Sequence, residues 1–178
     1  MRAFVAIDLP PCPGPVPEEL RPEDHLTLHF FEELSVERLP LAMAAMTEAA
    51  DGCGPFELEL RGVGAFPTPD RPRVLWAGVG EGAAALHSLA LRLRQALSSR
   101  GFPTEQRPFV AHLTLGRVRS PREAAGARRF LTDPGNATRV WNRTLVSEIL
   151  LKESELLPTG ARHTVRGRVS LCGSPPGG

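Results

Sequence analysis

The chain has 178 residues, enough for one domain or two intimately packed lobes around an ordinary core. Cys12, Cys53 and Cys172 lack a Cys-x-x-Cys pair, which argues against a disulfide framework or a zinc knuckle; no apolar run suits a membrane span, and MRAFVAIDLP is too short for a secretory leader. A net charge of +1 conceals an acidic first third (twelve acidic and three basic residues in 1–60) and an Arg-rich remainder (eight acidic and eighteen basic in 61–178), so a soluble cytoplasmic protein with one basic face is expected.

RAFVAID (2–8), apolar with β-branched and aromatic members, predicts a strand that the Pro-rich PPCPGPVP (10–17) cannot continue. HLTLHFF (25–31) is a second strand. SVERLPLAMAAMTEAADG, from Ser35, predicts a helix with a Ser cap and a closing Gly, in which Pro40 marks a kink or a late start. FELELRGVGAF (56–66) and RVLWAGVG (73–80) predict a hairpin-like pair of strands around FPTPDRP. The clearest helix is 81–101, with Leu86, Leu89, Leu93 and Leu97 on one stripe and Gly101 at its end. HLTLGRV (112–118) reads as a strand and PREAAGARRFL (121–131) as a short helix opened by Pro. TLVSEILLKESEL (144–156) and ARHTVRGRVSL (161–171) close the series as strands around a PTG turn, and CGSPPGG (172–178) is expected to be a disordered tail. Strands and helices thus recur as two similar series, which predicts an α+β protein of two related lobes.

Each series contains one His-Leu-Thr-Leu, at 25–28 and 112–115. A Leu-rich chain can repeat four residues by chance, but the alternation has physical content. In a strand it sends both Leu side chains to the core and leaves an imidazole and a hydroxyl roughly 6–7 Å apart on the other face. Two such platforms facing each other make a metal-free acid–base pair, because His has an ordinary pKa of about 6.5 and carries or accepts a proton near neutrality. In-line displacement at phosphorus needs one group to take a proton from the attacking oxygen and another to protonate the leaving oxygen. The two Thr hydroxyls can donate to nonbridging phosphate oxygens. Eight Arg between Arg107 and Arg143 surround the second copy and suit bidentate phosphate contact, with a coding bias toward Arg as the other explanation.

The two HLTL strands, the opening FVAIDLP, the RPF ahead of His112, the LGR after Thr114 and the closing SEL followed by GARHT resemble the two-histidine (2H) phosphoesterases, in particular the RNA 2',3'-cyclic phosphodiesterases long labelled 2'-5' RNA ligases. The resemblance spans roughly residues 2–171. It implies a single bilobal domain over 1–171: two pseudo-symmetric lobes, each an antiparallel sheet with helices outside, enclosing a central cleft. It also implies that His25 and His112 are catalytic and that Thr27 and Thr114 bind phosphate, with Arg117 and Phe109 as further substrate contacts and Arg107 in the same lead-in. The implied reaction opens a terminal 2',3'-cyclic phosphate on RNA or a nucleotide to a 2'-phosphate, with no cofactor and no metal; a monomer is the default expectation. Three departures stand out. Residues 10–24 replace a helix expected after the first strand; Glu32 and Ala111 stand where Gly and Pro are common; and His163 stands where Tyr is common.

Other readings follow from the same residues. His25, His29 and His112 could ligate a metal, but no carboxylate accompanies them at a ligand spacing, and residues i and i+4 on a strand lie roughly 13 Å apart. A non-catalytic RNA- or nucleotide-binding module would not require both His and both Thr. Ligation of RNA ends is the reverse reaction and is disfavoured in water. Trp76 and Trp141 read as packing residues, His87 as a surface or packing residue of its helix, and GVGEG (78–82) as either an anion cradle or a strand-to-helix turn.

Overall fold

The computed structural model describes residues 1–12 and 14–173 and has two four-stranded sheets, every strand pair antiparallel. Strands β1 (Ala3–Asp8), β2 (His25–Phe31), β7 (Glu148–Leu157) and β8 (Gly160–Ser170) form one sheet in the order β2-β1-β7-β8. Strands β3 (Phe56–Thr68), β4 (Arg71–Val79), β5 (Leu113–Arg117) and β6 (Val140–Val146) form the other in the order β5-β4-β3-β6. The sheets correspond position by position. In each, the strand carrying an HLTL copy is an edge strand, and these two edges, β2 and β5, approach one another where the sheets meet.

Helices α1 (Leu39–Ala50) and α2 (Ala83–Ser98) pack on the first sheet and on each other, α3 (Pro121–Thr132) and α4 (Pro134–Ala137) on the second. The stripe Leu86, Leu89, Leu93 and Leu97 is fully buried, as its spacing predicts. Pro40 marks a late start: a short 3-10 turn, Val36–Arg38, precedes α1, and Ser35 makes no side-chain cap. Ser120 does cap α3, its hydroxyl accepting from the Glu123 N–H, and Pro121 occupies the first turn. Among the described residues no helix is long and apolar enough to cross a membrane, and all three cysteines are unpaired.

One predicted strand is two. The run 144–156 breaks at Ser147, where the chain leaves the second sheet at the end of β6 and enters the first as β7. The physical reason lies in β7: Ile149, Leu150 and Leu151 are all buried because the strand is covered on both faces, so no polar alternation marks the change of sheet.

Both HLTL strands carry the same irregularity. Val5 pairs with His29 and Ala6 with Thr27, so Leu28 is skipped; Leu75 pairs with Gly116 and Trp76 with Thr114, so Leu115 is skipped. The last Leu of each motif is therefore the extra residue of a bulge, a device that bends a strand and re-aims its side chains. Leu26, Leu28, Leu113 and Leu115 all belong to one continuous core.

The connection from β1 to β2 is the long Pro-rich segment. Its ends lie side by side, with the Leu9 N–H donating to the Asp24 carbonyl, but its middle packs on the second sheet. Asn142 donates to the Pro10 carbonyl at 3.1 Å, the Trp141 ring lies against Gly14 where any Cβ would collide with it, and the buried Leu20 sits on Gly116. The segment is a strap from one lobe to the other. The tail expected from Cys172 onward begins paired, with Cys172 bridging to Asp51; residues 174–178 lie outside the described residues.

Candidate active site

The strap ends where β2 begins, so Glu23, Asp24 and His25 enter the cleft together. The His25 ring is buried, stacked at 4.8 Å on Phe4 of the neighbouring β1. Its Nδ1 is 3.0 Å from Asp24 Oδ1; a carboxylate can only accept, so Nδ1 carries the hydrogen and Nε2 is left for chemistry. That bond is the leading reason the Asp24 carboxyl lies below its usual range, with the charges of Lys152 and His25 adding to it and desolvation opposing it.

His112 stands just before β5, and its Nδ1 donates to the Val110 carbonyl at 2.7 Å, which again directs Nε2 outward as the free nitrogen. Phe66 meets the ring edge to face at 5.0 Å and Trp76 lies 6.3 Å away. Thr27 is half-buried and Thr114 buried. The motifs are joined directly: the Glu23 N–H donates to the Thr114 carbonyl at 2.9 Å. Its carboxylate spans the cleft, with one oxygen 3.6 Å from His25 Nε2 and the other accepting from Arg117 Nη2 at 3.4 Å. Arg117 therefore stands in the site, and Phe109 stands beside it. Phe109 lines a cavity of about 360 Å³ next to His112, with Trp76, Ala111 and His87 among its other walls.

His29, on the same motif strand, does not join this group. The bulge at Leu28 interrupts the alternation, and His29 stacks edge-on against Phe31 at 4.5 Å with its Nε2 buried and unpartnered. Burial pushes its pKa down to about 4, so the ring is neutral near pH 7. The three imidazoles of the metal reading are not assembled, and among the described residues no group of three or more His, Cys, Asp or Glu is placed to hold an ion.

His163, in β8, stands 5.2 Å from His25 at nearly a right angle, with Phe4 as the floor of both rings. Desolvation, then the charge on His25, lowers its pKa. Glu32 is exposed at the far end of β2 and lies about 23 Å along the strand from His25.

Sequence reasoning passed over Asp24 and Glu23 as partners of His25, although adjacency in EDH was the available signal. It also left Lys152 without a place. This residue, the single Lys, is buried in β7 and paired with Asp8, whose Cα faces that of His25 across the β1–β2 ladder. The expected basic face is consumed in part by pairing: of the eight Arg from Arg107 to Arg143, Arg117, Arg122 and Arg143 meet an acid. Glu59, itself buried, holds Arg61 and Arg143; Glu19 lies 3.9 Å from Arg122, and Glu23 holds Arg117. GVGEG is a strand-to-helix turn. Gly82 has φ +82° and lies where a Cβ would strike the Glu57 carbonyl, and the Glu59 carboxylate beside Gly80 makes the turn unsuited to an anion. Trp141 packs as expected, its Nε1–H donating to the Gly62 carbonyl at 3.0 Å.

A bilobal α+β fold with two equivalent bulged edge strands, each bearing a Thr with a His in or just ahead of the strand, defines a phosphoesterase of the two-histidine type, and comparison with known proteins agrees. Residues 17–147 match the family described as the 2'-5' RNA ligase superfamily, and the chain belongs to it. It is 38% identical over 137 residues, 76% of this chain and 75% of the relative, to an RNA 2',3'-cyclic phosphodiesterase of Aeropyrum pernix. Among solved structures, TT0787 of Thermus thermophilus superposes with a TM-score of 0.74 at 29% identity, covering 97% of this chain and 99% of that one. E. coli LigT complexed with 3'-AMP superposes with a TM-score of 0.69 at 27% identity, covering 96% and 97%.

Proposed function

We propose that the protein is a cytoplasmic, monomeric RNA 2',3'-cyclic phosphodiesterase that opens terminal cyclic phosphates to 2'-phosphates by metal-independent His/His catalysis. The observation that carries this reading is the paired presentation of His25 and His112. Each ring has Nδ1 anchored by a local acceptor and Nε2 free, and the strands that bear them are tied through the Glu23–Thr114 backbone bond. Relatives named as RNA 2',3'-cyclic phosphodiesterases and a neighbour complexed with 3'-AMP support the substrate class.

In this mechanism the free Nε2 of His112 takes a proton from water as its oxygen attacks phosphorus. The bond from phosphorus to O3' breaks on the opposite side, and His25 gives its Nε2 proton to the departing oxygen, leaving a 3'-hydroxyl and a 2'-phosphate. The acidic side chains Asp24 and Glu23 lie beside His25, which suits the ring that enters the reaction charged, whereas His112 is held by a neutral carbonyl. Thr27 and Thr114 donate to the nonbridging oxygens, Arg117 balances their charge, and Phe109 bounds the adjoining cavity on the nucleoside side.

The test is hydrolysis of a nucleoside 2',3'-cyclic phosphate, and of RNA with that end, in excess chelator, with the position of the product phosphate determined. Wild type is expected to make the 2'-phosphate, and His25→Ala or His112→Ala each to lose nearly all of the rate, the double variant losing little more because the pair acts as a unit. Rates that chelator abolishes, or that survive either substitution, would refute the mechanism.

A further inference from the structure

We propose that Glu23 sets the charge selectivity of the site: it admits a singly charged phosphodiester and rejects the doubly charged phosphomonoester that hydrolysis leaves. This rests on the reading above that the cleft takes a phosphoryl group. The carboxylate lies between His25 Nε2, at 3.6 Å, and Arg117 Nη2, at 3.4 Å, which is where an anion served by both residues would sit.

Structural reasons do not account for that placement. The Arg117 side chain is 57% exposed and that of Glu23 31%, and ion pairs so open to water contribute little to folding. The other two acids near His25 have partners away from its Nε2: Asp24 accepts from Nδ1, and Asp8 pairs with Lys152. Glu23 alone among these shares the guanidinium that a phosphate would take. Once Arg117 turns to phosphate, Glu23 loses its counterion, but its N–H, bonded to the Thr114 carbonyl at 2.9 Å, holds its backbone at the cleft, so the carboxylate moves only as far as its own side chain reaches. A negative charge then remains tethered beside the bound anion.

The consequence depends on the charge of that anion. A 2',3'-cyclic phosphate is a diester with one negative charge. Its hydrolysis product is a monoester whose second ionisation lies near pH 6, so it carries almost two at pH 7.5. Arg117 and a protonated His25 attract both forms, and the fixed carboxylate repels the product about twice as strongly as the substrate. The two units of charge on the product, within about 5 Å of a partly exposed carboxylate, correspond to roughly tenfold in affinity after solvent screening, and the single unit on the substrate to about threefold. Glu23 thus lowers product inhibition and biases the site against phosphomonoester nucleotides.

Calorimetric titration at pH 7.5 with a nucleoside 2'-monophosphate and with the matching 2',3'-cyclic phosphate tests this, in a His112→Ala background that prevents turnover. Adding Glu23→Gln is expected to tighten the monoester about tenfold and the cyclic diester threefold or less, while Glu23→Asp, which keeps the charge, preserves the parental ratio. A purely structural role would weaken both ligands together. A ratio unmoved by Glu23→Gln, with both ligands still bound, overturns the proposal and leaves the phosphodiesterase reading standing. Failure of both ligands to bind the parent would overturn both. Should Glu23→Gln not fold, Glu23→Asp decides alone: a ratio shifted toward the monoester despite the retained charge refutes the assignment.

Discussion

Gly116→Ala should lift the strap off the second lobe, and the size of the effect follows from one contact. A methyl group at residue 116 would lie 2.5 Å from Leu20 Cβ and 3.0 Å from its Cγ and Cδ2. Because the closest atom is a Cβ, no change of Leu20 rotamer relieves the overlap, and the strap backbone has to move by roughly 1 Å to restore ordinary contact. Overpacking of this kind costs about 1–3 kcal/mol. Leu20 is 3% exposed, so its removal by Leu20→Gly is itself costly, but it also removes the atoms that the new methyl strikes. In the Leu20→Gly background, Gly116→Ala should therefore cost close to nothing, a coupling of at least about 1 kcal/mol between neighbours. Urea unfolding of the four proteins measures this, and kcat/KM with a cyclic nucleotide should fall in Gly116→Ala, since the moved strap carries Glu23 and Asp24. Equal destabilisation by Gly116→Ala in both backgrounds would show that Leu20 does not rest on this glycine.

Asp24→Asn removes the carboxylate that orients His25 and should lower kcat/KM about tenfold, the lower end of what a charge-assisted hydrogen bond contributes, because the Asp24 side chain is 73% exposed. Its melting temperature should change little at pH 7, and wild type should lose the small Asp24 contribution only as pH falls through the lowered carboxyl pKa; a large melting shift with unaltered kcat/KM would count against an orienting role. His29 makes the opposite kind of contribution: its folded pKa is pushed down from 6.5 to about 4, so the unfolded chain binds the proton first as pH drops. Stability should then decline between about pH 6.5 and pH 4, by about 3 kcal/mol in total, and His29→Leu should remove that part of the slope. Unfolding midpoints at pH 7 and pH 4.5 compare the two proteins, and an identical pH dependence would refute the assignment.

Much of this architecture was legible because local pattern and global fold agree. The alternation in HLTL names the core-facing Leu residues and sets His and Thr on the opposite face whichever sheet receives the strand, and Arg117 follows Thr114 closely enough to share its end of β5. What was hidden depends on partners in space. The bulges at Leu28 and Leu115 leave no mark, because a Leu is buried whether or not it is paired, and the displaced His29 reads as one more residue on the His25 face. Phe109 belongs to the lead-in of the second motif in sequence but to the neighbouring cavity in space. The crossing at Ser147 is masked by the apolar run that follows it.

The Pro-rich connection shows how these levels combine. A helix over 10–24 would advance about 1.5 Å per residue and keep its own hydrogen bonds, whereas an extended chain reaches about 3.3 Å per residue. Proline favours the extended form and removes N–H donors that such a segment could not otherwise satisfy. The extended path is what allows the segment 10–24 to leave β1, dock Gly14 and Leu20 on the far lobe, and still return beside Leu9. The same path delivers Glu23 to Thr114 and Arg117, so the negative charge in the cleft is a consequence of how this chain joins its first two strands. Part of the charge asymmetry along the chain then has the same origin. Acids on the strap and on β3 face arginines of the second lobe, in Glu19–Arg122, Glu23–Arg117 and Glu59–Arg143, and the asymmetry along the sequence becomes complementarity between neighbouring elements.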